Sequence, residues 1–161
     1  FLLLKTLVFV GEDIRHQMSM QTIGHDKVNQ LRHVRYFHDL NGIHEHMKKH
    51  AAILRPKFEL LYDLFNKELA GAGMAEWTTP KGGYFISFNS MEGCAKKIVQ
   101  MAKEAGVVLT PAGATYPYGK DPQDSNIRIA PSYPTVEELA KAGELFVICV
   151  KLAAVEKLLA E

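Results

Sequence analysis

The sequence contains few cysteines, no excess of charge of one sign and no long hydrophobic run. The two cysteines among its 161 residues, Cys94 and Cys149, both fall inside apolar helical patterns, so we expect buried, reduced thiols in a cytoplasmic protein. The net charge of +1 gives no reason to expect nucleic acid as a partner. The apolar stretch at residues 145–150 is ended by Lys151 well short of the length of a membrane-spanning helix, so we expect no membrane partner.

Length and composition describe an ordinary globular chain. With 47% hydrophobic and 23% charged residues, it can form a core of one domain or slightly more. The first ten residues, FLLLKTLVFV, form a hydrophobic run without an initiating methionine, a basic segment before it or a small-residue cleavage site. We therefore expect that the chain is a fragment and that a segment upstream of it is missing.

Apolar spacing predicts two helical regions in the first half of the chain. Asp26 is placed to cap a helix that runs to about His38. A second helical region begins near Gly42 and continues to Ala70. Inside it, Pro56 should either kink the helix or restart it as a first-turn residue.

The second half of the chain alternates between short strands and helices. Residues 84–88, 107–110 and 127–130 are rich in aromatic and β-branched side chains, which predicts three strands. Ser90 is placed to cap the helix between the first two of them, and Gly106 to end it.

A final helix is indicated by a capping box, in which Thr135 is followed three residues later by Glu138. The order of elements is then helix, helix, strand, helix, strand, strand, helix. This order predicts an α+β fold, with a small sheet of about three strands covered by helices on one face.

Two patterns resemble binding motifs and fail on their details. His46 and His50 are four residues apart and could share a helix face as metal ligands, but no third ligand is obvious, so surface histidines are favoured and no metal is expected. The segment from Gly113 to Lys120 resembles a phosphate-binding loop, but its glycines are wrongly spaced and Asp121 stands where Ser or Thr should be.

The segment DSNIRIAP places an arginine between two isoleucines. Alternation along a strand puts Ile127 and Ile129 on one face and Arg128 on the other. There Arg128 could face solvent, a structural acid or the carboxylate of a ligand. The long loop before it, residues 111–125, and the strand-ending Pro131 favour a position near the rim of a site. A guanidinium also has the planar fork that suits bidentate binding of a carboxylate.

Four segments in the same order resemble a known family: VNQLRHVRYF, TPKGGYFISF, LTPAGATYPYG and NIRIAPSYP. Together they are similar to the C-terminal small domain of fold-type I, pyridoxal-phosphate-dependent aminotransferases, and closest to the bacterial aspartate aminotransferases called type Ic. The resemblance covers residues 21–161 and implies that this part is the small domain with its leading interdomain helices. Residues 1–20 are then a remnant of, or a junction to, a missing large domain.

The resemblance also implies a division of chemistry. The family's arginine at the IRI position, which matches Arg128, binds the α-carboxylate of the amino-acid and 2-oxo-acid substrates. The lysine that holds the cofactor and moves the proton at Cα lies in the large domain, and Lys5 lacks the expected context to be that lysine. We therefore expect no catalytic residue and no cofactor-binding residue in this chain, no pyridoxal phosphate bound to it, and no activity of the chain alone.

For the full-length parent, the resemblance implies pyridoxal phosphate as cofactor, aspartate as amino donor, a homodimer and a cytoplasmic location. One alternative of another class stays open. The chain could be a stand-alone, non-catalytic ligand-binding or interaction domain on an aminotransferase-like scaffold, because a fold alone does not determine a function.

Overall fold

A computed structural model of the chain describes residues 2–22, 24 and 26–160. Within these residues the helices are α1 (Leu2–Gln21), α2 (Lys27–Phe37), α3 (Leu40–Glu68), α4 (Ala95–Glu104) and α5 (Val136–Ala160), and the strands are β1 (Ala75–Trp77), β2 (Ile86–Ser90) and β3 (Asn126–Ile129). Contacts divide the chain into two compact units, residues 1–48 and residues 49–161.

The first unit contains α1, α2 and the beginning of α3. The predicted cap of α2 is confirmed, because the Asp26 carboxylate accepts a hydrogen bond of 2.9 Å from the backbone N–H of Asn29. Asp39 does the same for α3, accepting a bond of 2.9 Å from the N–H of Gly42. The second helix of the prediction therefore begins at Leu40, slightly before Gly42.

Helix α3 runs without interruption through Pro56. The expectation that Pro56 restarts the helix as a first-turn residue is therefore wrong. Pro56 has no N–H, so one hydrogen bond inside the helix, to the carbonyl of Ala52, is missing. Packing of the following turns compensates, because Phe58, Leu61 and Phe65 of this helix are all buried.

The second unit is built around an antiparallel sheet of order β1-β2-β3. Its core face meets α3, α4 and α5. The side chains buried there include Phe58, Leu61, Phe65, Leu69, Ile86, Phe88, Ile98, Ile127, Ile129, Phe146 and Val150. The predicted α+β class, with a three-stranded sheet covered by helices, is confirmed.

One of the three predicted strands is wrong. Residues 107–110 form no strand, and Val108 is 84% exposed. The chain leaves α4 through Gly106, whose φ of +90° is a left-handed conformation, and then runs on without a strand partner. The third strand is β1, which pairs with the edge of β2 that β3 leaves open. Strand propensity alone did not reveal which segment has a partner.

The predicted cap of α4 is also wrong. Ser90 is the last residue of β2, and its hydroxyl donates a 3.1 Å hydrogen bond to the carbonyl of Ser125. The N-terminus of α4 is capped instead by Asp124, which is distant in sequence. Its backbone carbonyl accepts from the N–H of Ala95 at 2.8 Å, and its carboxylate from the N–H of Lys96 at 3.2 Å.

The capping box of α5 is confirmed. The N–H of Thr135 donates to the Glu138 carboxylate at 2.9 Å, and the N–H of Glu138 donates to the Thr135 hydroxyl at 3.2 Å.

Cys149 on this helix and Cys94 before α4 are both buried and free of disulfides, and burial raises the pKa of each thiol. None of the helices that the structure describes combines the length and the apolar composition of a bilayer crossing.

We expect that Asp124→Ala lowers the free energy of unfolding by about 1 kcal/mol, because the substitution removes the side-chain cap of α4. Urea denaturation measures this change. Gln123→Ala is the matched control, since Gln123 is the exposed neighbour and takes part in hydrogen bonds through its backbone. Equal losses in both variants would contradict the capping role.

Candidate functional site

The face of the sheet opposite the core is polar. Cα pairing places Ser87 beside Arg128 and Asn89 beside Asn126. Because side chains alternate along each strand, these four residues share the face that Ile127 does not use. The sequence prediction that Arg128 lies on the opposite face from its two flanking isoleucines is therefore confirmed.

Arg128 is half-buried, and its guanidinium lies close to the Phe85 ring and the Thr110 hydroxyl. Its guanidinium carbon lies 4.5 Å from the centroid of the Phe85 ring. Its Nη2 lies 3.5 Å from the Thr110 hydroxyl oxygen, at the outer limit of a hydrogen bond. Its Nε is buried and has no acceptor among the residues described. The guanidinium is thus partly removed from water without full compensation by hydrogen bonds.

Among the residues that the structure describes, no structural acid neutralises this arginine. Within the described part of the chain, none of the ion pairs involves Arg128. The sequence left three partners open for Arg128: solvent, a structural acid and the carboxylate of a ligand. A structural acid paired with Arg128 is not found among the described residues. A guanidinium that is half-buried and has no counter-ion is suited to bind an external anion.

Asn126 connects the polar sheet face to the long loop before β3. Its amide nitrogen donates to the hydroxyl of Ser87 at 2.9 Å and to the side-chain oxygen of Asn89 at 2.7 Å. Its amide oxygen accepts from the hydroxyl of Thr115 at 2.6 Å. Asn126 is 7% exposed, and this buried network ties the loop to both β2 and β3.

Asp121 organises the end of the same loop. Its carboxylate accepts backbone hydrogen bonds from Gln123 at 3.0 Å, and from Ser125 and Asn126 at 2.8 Å each. Burial by itself would raise the pKa of Asp121, but the backbone N–H groups of residues 123–126 outweigh it, so the pKa lies below its usual range. The charged carboxylate therefore stabilises the turn that leads into β3.

Gly113 allows the loop to close on itself. Its φ is +81°, and a Cβ atom at this position would come within 2.6 Å of the carbonyl oxygen of Gly119. The loop then leads into a strand and not into a helix N-terminus, which agrees with the rejection of a phosphate-binding loop.

His46, in the first unit, packs against two aromatic rings. The ring of His46 lies 5.6 Å from that of Tyr36 and 5.2 Å from that of Phe37, both in edge-on geometry. Across residues 2–22, 24 and 26–160, no group of three or more His, Cys, Asp or Glu side chains is arranged to hold a metal ion.

A surface hollow of about 710 Å³ lies beside the polar sheet face and was not predicted from the sequence. Its lining includes Glu76, Asn89, Glu92 and Tyr116 but not Arg128. The carboxylates of Glu76 and Glu92 give this lining negative charge, which disfavours an anion there.

Phe85, Thr110 and Asn126 were missed as site residues by reasoning from sequence. Asn126 could have been found, because it lies two residues from Arg128, whose face alternation along the strand predicts. Phe85 gave no signal, because its place beside Arg128 depends on the pairing of β2 with β3. Thr110 gave no such signal, since it lies in the segment that was wrongly predicted as a strand.

Comparisons with known proteins agree with one another. A family model described as aspartate amino-transferase matches residues 10–161. An aspartate aminotransferase of Corynebacterium glutamicum is 50% identical over 138 residues, which are 86% of this chain and 32% of that protein. The crystal structure of an aspartate transaminase from the same species matches with a TM-score of 0.83 at 47% identity, over 88% of this chain and 34% of that one.

A more distant likeness shows the fold alone. The α-aminoadipate aminotransferase of Thermus thermophilus, in complex with N-(5′-phosphopyridoxyl)-L-leucine, matches with a TM-score of 0.60 at 19% identity, over 71% of this chain and 28% of that one. The chain spans about a third of the length of the curated relatives it matches.

We expect Asp121→Asn to lower the free energy of unfolding at pH 7 by about 2 kcal/mol, because one acceptor oxygen and the charge are lost. The folded-state pKa of Asp121 is lower than its unfolded value of about 3.9. The stabilisation is therefore complete above about pH 4 and is lost as the pH falls through the folded-state pKa.

The difference between wild type and Asp121→Asn should accordingly shrink in acid. Urea denaturation at a series of pH values measures it, with Gln123→Ala as the control. Parallel pH profiles of wild type and Asp121→Asn would show that the carboxylate charge has no such role.

Proposed function

Because the chain belongs to the aspartate aminotransferase family, we propose that it is the C-terminal part of a pyridoxal-phosphate-dependent aminotransferase and that Arg128 binds the α-carboxylate of the substrate. The substrates would be an amino acid and a 2-oxo acid, with aspartate as donor. The names of the relatives support this choice of donor.

One observation carries the proposal. The Arg128 guanidinium is half-buried, has no acid partner among the described residues, and has a buried Nε without an acceptor. A cation partly removed from water is destabilised unless an anion or hydrogen-bond acceptors compensate for the loss of hydration. A carboxylate ligand would supply both, through charge-assisted hydrogen bonds to the planar fork.

The contribution of Arg128 to the reaction would be orientation. Two parallel N–H···O bonds fix the plane of the carboxylate and therefore the direction of Cα. Because the bound substrate is already oriented, it loses less entropy when it reaches the geometry in which it reacts. Pyridoxal phosphate, when bound in the parent, supplies the electron sink for charge that develops at Cα.

The residues around Arg128 do not fit the cofactor itself. Phe85 and Thr110, which lie against the guanidinium, offer no amine for covalent attachment. We therefore assign cofactor attachment and proton transfer at Cα to residues outside this chain. Use of this cofactor by the parent is supported by the family and by the phosphopyridoxyl ligand of the distant Thermus relative.

Further parts of the proposal rest on the family resemblance. They are the division into a junction segment, residues 1–20, and a small domain, residues 21–161, together with a homodimeric, cytoplasmic parent. The stand-alone binding domain also stays a prediction. Such a domain would use the same Arg128 site as the enzyme but would need no second domain.

We expect the chain to bind pyruvate, a 2-oxo acid with one carboxylate, and Arg128→Lys to weaken this binding about tenfold. Lysine keeps the charge but cannot reproduce the bidentate fork. Titration of the ¹⁵N-labelled chain followed by NMR measures the Kd. Lys120→Gln is the matched control, because it removes an exposed positive charge from the neighbouring loop. Equal affinities of wild type and Arg128→Lys would contradict the anchor.

We also expect the chain alone to be inactive with pyridoxal phosphate, because it supplies a carboxylate anchor and no lysine assigned to the cofactor. Borohydride reduction followed by peptide mapping should find the same diffuse lysine labelling in the folded and the urea-unfolded chain. A single lysine labelled stoichiometrically in the folded chain alone, or aminotransferase turnover, would contradict this division of chemistry.

A further inference from the structure

Phe85 is an aromatic residue that lies outside the core. It directly precedes β2 and is 48% exposed. Because it lies two residues before Ser87, the alternation of side chains places it on the same polar face of the sheet. The neighbouring aromatic residue, Tyr84, is similarly exposed at 51%. Among the described residues, the ring of Phe85 has a cation over it, the guanidinium of Arg128 at 4.5 Å.

The ring is the main side-chain partner of this guanidinium. The bond from Nη2 to the Thr110 hydroxyl is long at 3.5 Å, and Nε has no acceptor among the described residues. The arginine backbone is fixed by the pairing of Arg128 with Ser87, but the long side chain retains several rotatable bonds. Stacking on the ring limits the planes that the fork can adopt.

We infer that Phe85 is a positioning residue, which holds the Arg128 guanidinium in the plane that receives the carboxylate of an amino or 2-oxo acid. This inference rests on the proposed function of Arg128. A fork that is already oriented loses less freedom when the ligand binds, so the affinity is higher than for the same arginine without the ring. The ring acts through Arg128 and needs no contact with the ligand.

The position of Phe85 separates this role from a structural one. Because the ring is half exposed and does not belong to the buried core, its replacement by an aliphatic side chain should change stability little. A purely structural residue would affect the unfolding transition, whereas a positioning residue affects the geometry of Arg128 and the binding of carboxylates.

The test compares Phe85→Leu, Phe85→Tyr and the control Tyr84→Leu in the full chain. The first readout is the side-chain ¹Hε–¹⁵Nε resonance of Arg128, which the ring current of Phe85 should displace in wild type. We expect the displacement to persist in Phe85→Tyr and Tyr84→Leu and to disappear in Phe85→Leu. An unchanged resonance in Phe85→Leu would overturn the inference.

The second readout is the Kd for pyruvate. We expect Phe85→Leu to weaken binding about threefold, as the loss of one exposed cation–π contact implies, and the other two variants to match wild type. In an Arg128→Lys background, Phe85→Leu should have a smaller effect, because the two side chains act as one unit. Thermal unfolding controls for the fold, and Phe85→Met replaces Phe85→Leu if the latter does not fold.

The outcomes separate the two proposals. If Arg128→Lys weakens pyruvate binding but Phe85→Leu does not, the positioning role is wrong and the anchor stands. If wild type binds no pyruvate, or Arg128→Lys binds it equally well, the anchor is wrong and the role of Phe85 is wrong with it. Equal effects of Phe85→Leu in the wild-type and Arg128→Lys backgrounds would show that Phe85 does not act through Arg128.

Discussion

The alternation of side chains along β3 determines which face of the sheet carries Arg128. Ile127 is fully buried and Ile129 is 6% exposed, and removing two such side chains from water stabilises the fold by about 3–6 kcal/mol. A shift of the pairing by one residue would turn both isoleucines outward and place the guanidinium of Arg128 in the core. The core therefore holds Arg128 on the opposite face.

The support of the polar face comes from loop residues and differs in kind from the core. Asp121 orders the turn before β3. Asn126 is joined to β2 by two side-chain hydrogen bonds and to the loop at Thr115 by a third. Such a network specifies one arrangement, because each buried polar group left unpaired would be costly. Arg128, two residues further on, is the exception: its Nε lacks an acceptor among the described residues. Of the two buried side-chain atoms without a partner among the described residues, the Tyr62 hydroxyl and the Arg128 Nε, the second belongs to the residue assigned to the ligand.

Sequence patterns correctly predicted the features that depend on residues close together in the chain. The caps at Asp26 and Thr135 and the face of Arg128 follow from neighbours in sequence, and all three were predicted correctly. The errors at residues 107–110 and at Ser90 have a common cause, because the true partners are distant in the chain. Strand β1 and the cap from Asp124 become visible only when the sheet and the loop are assembled. For the same reason the Phe85 ring beneath Arg128 could not be read from spacing alone.

The strand order has a consequence for association between chains. With β2 in the centre, β3 is an edge strand, and an edge strand offers unpaired backbone groups to any other strand that approaches. Here the edge is only 4 residues long, carries the positive charge of Arg128, and is followed closely by Pro131, which has no N–H to donate. The positive charge of Arg128 thus also makes this edge a poor template for aggregation.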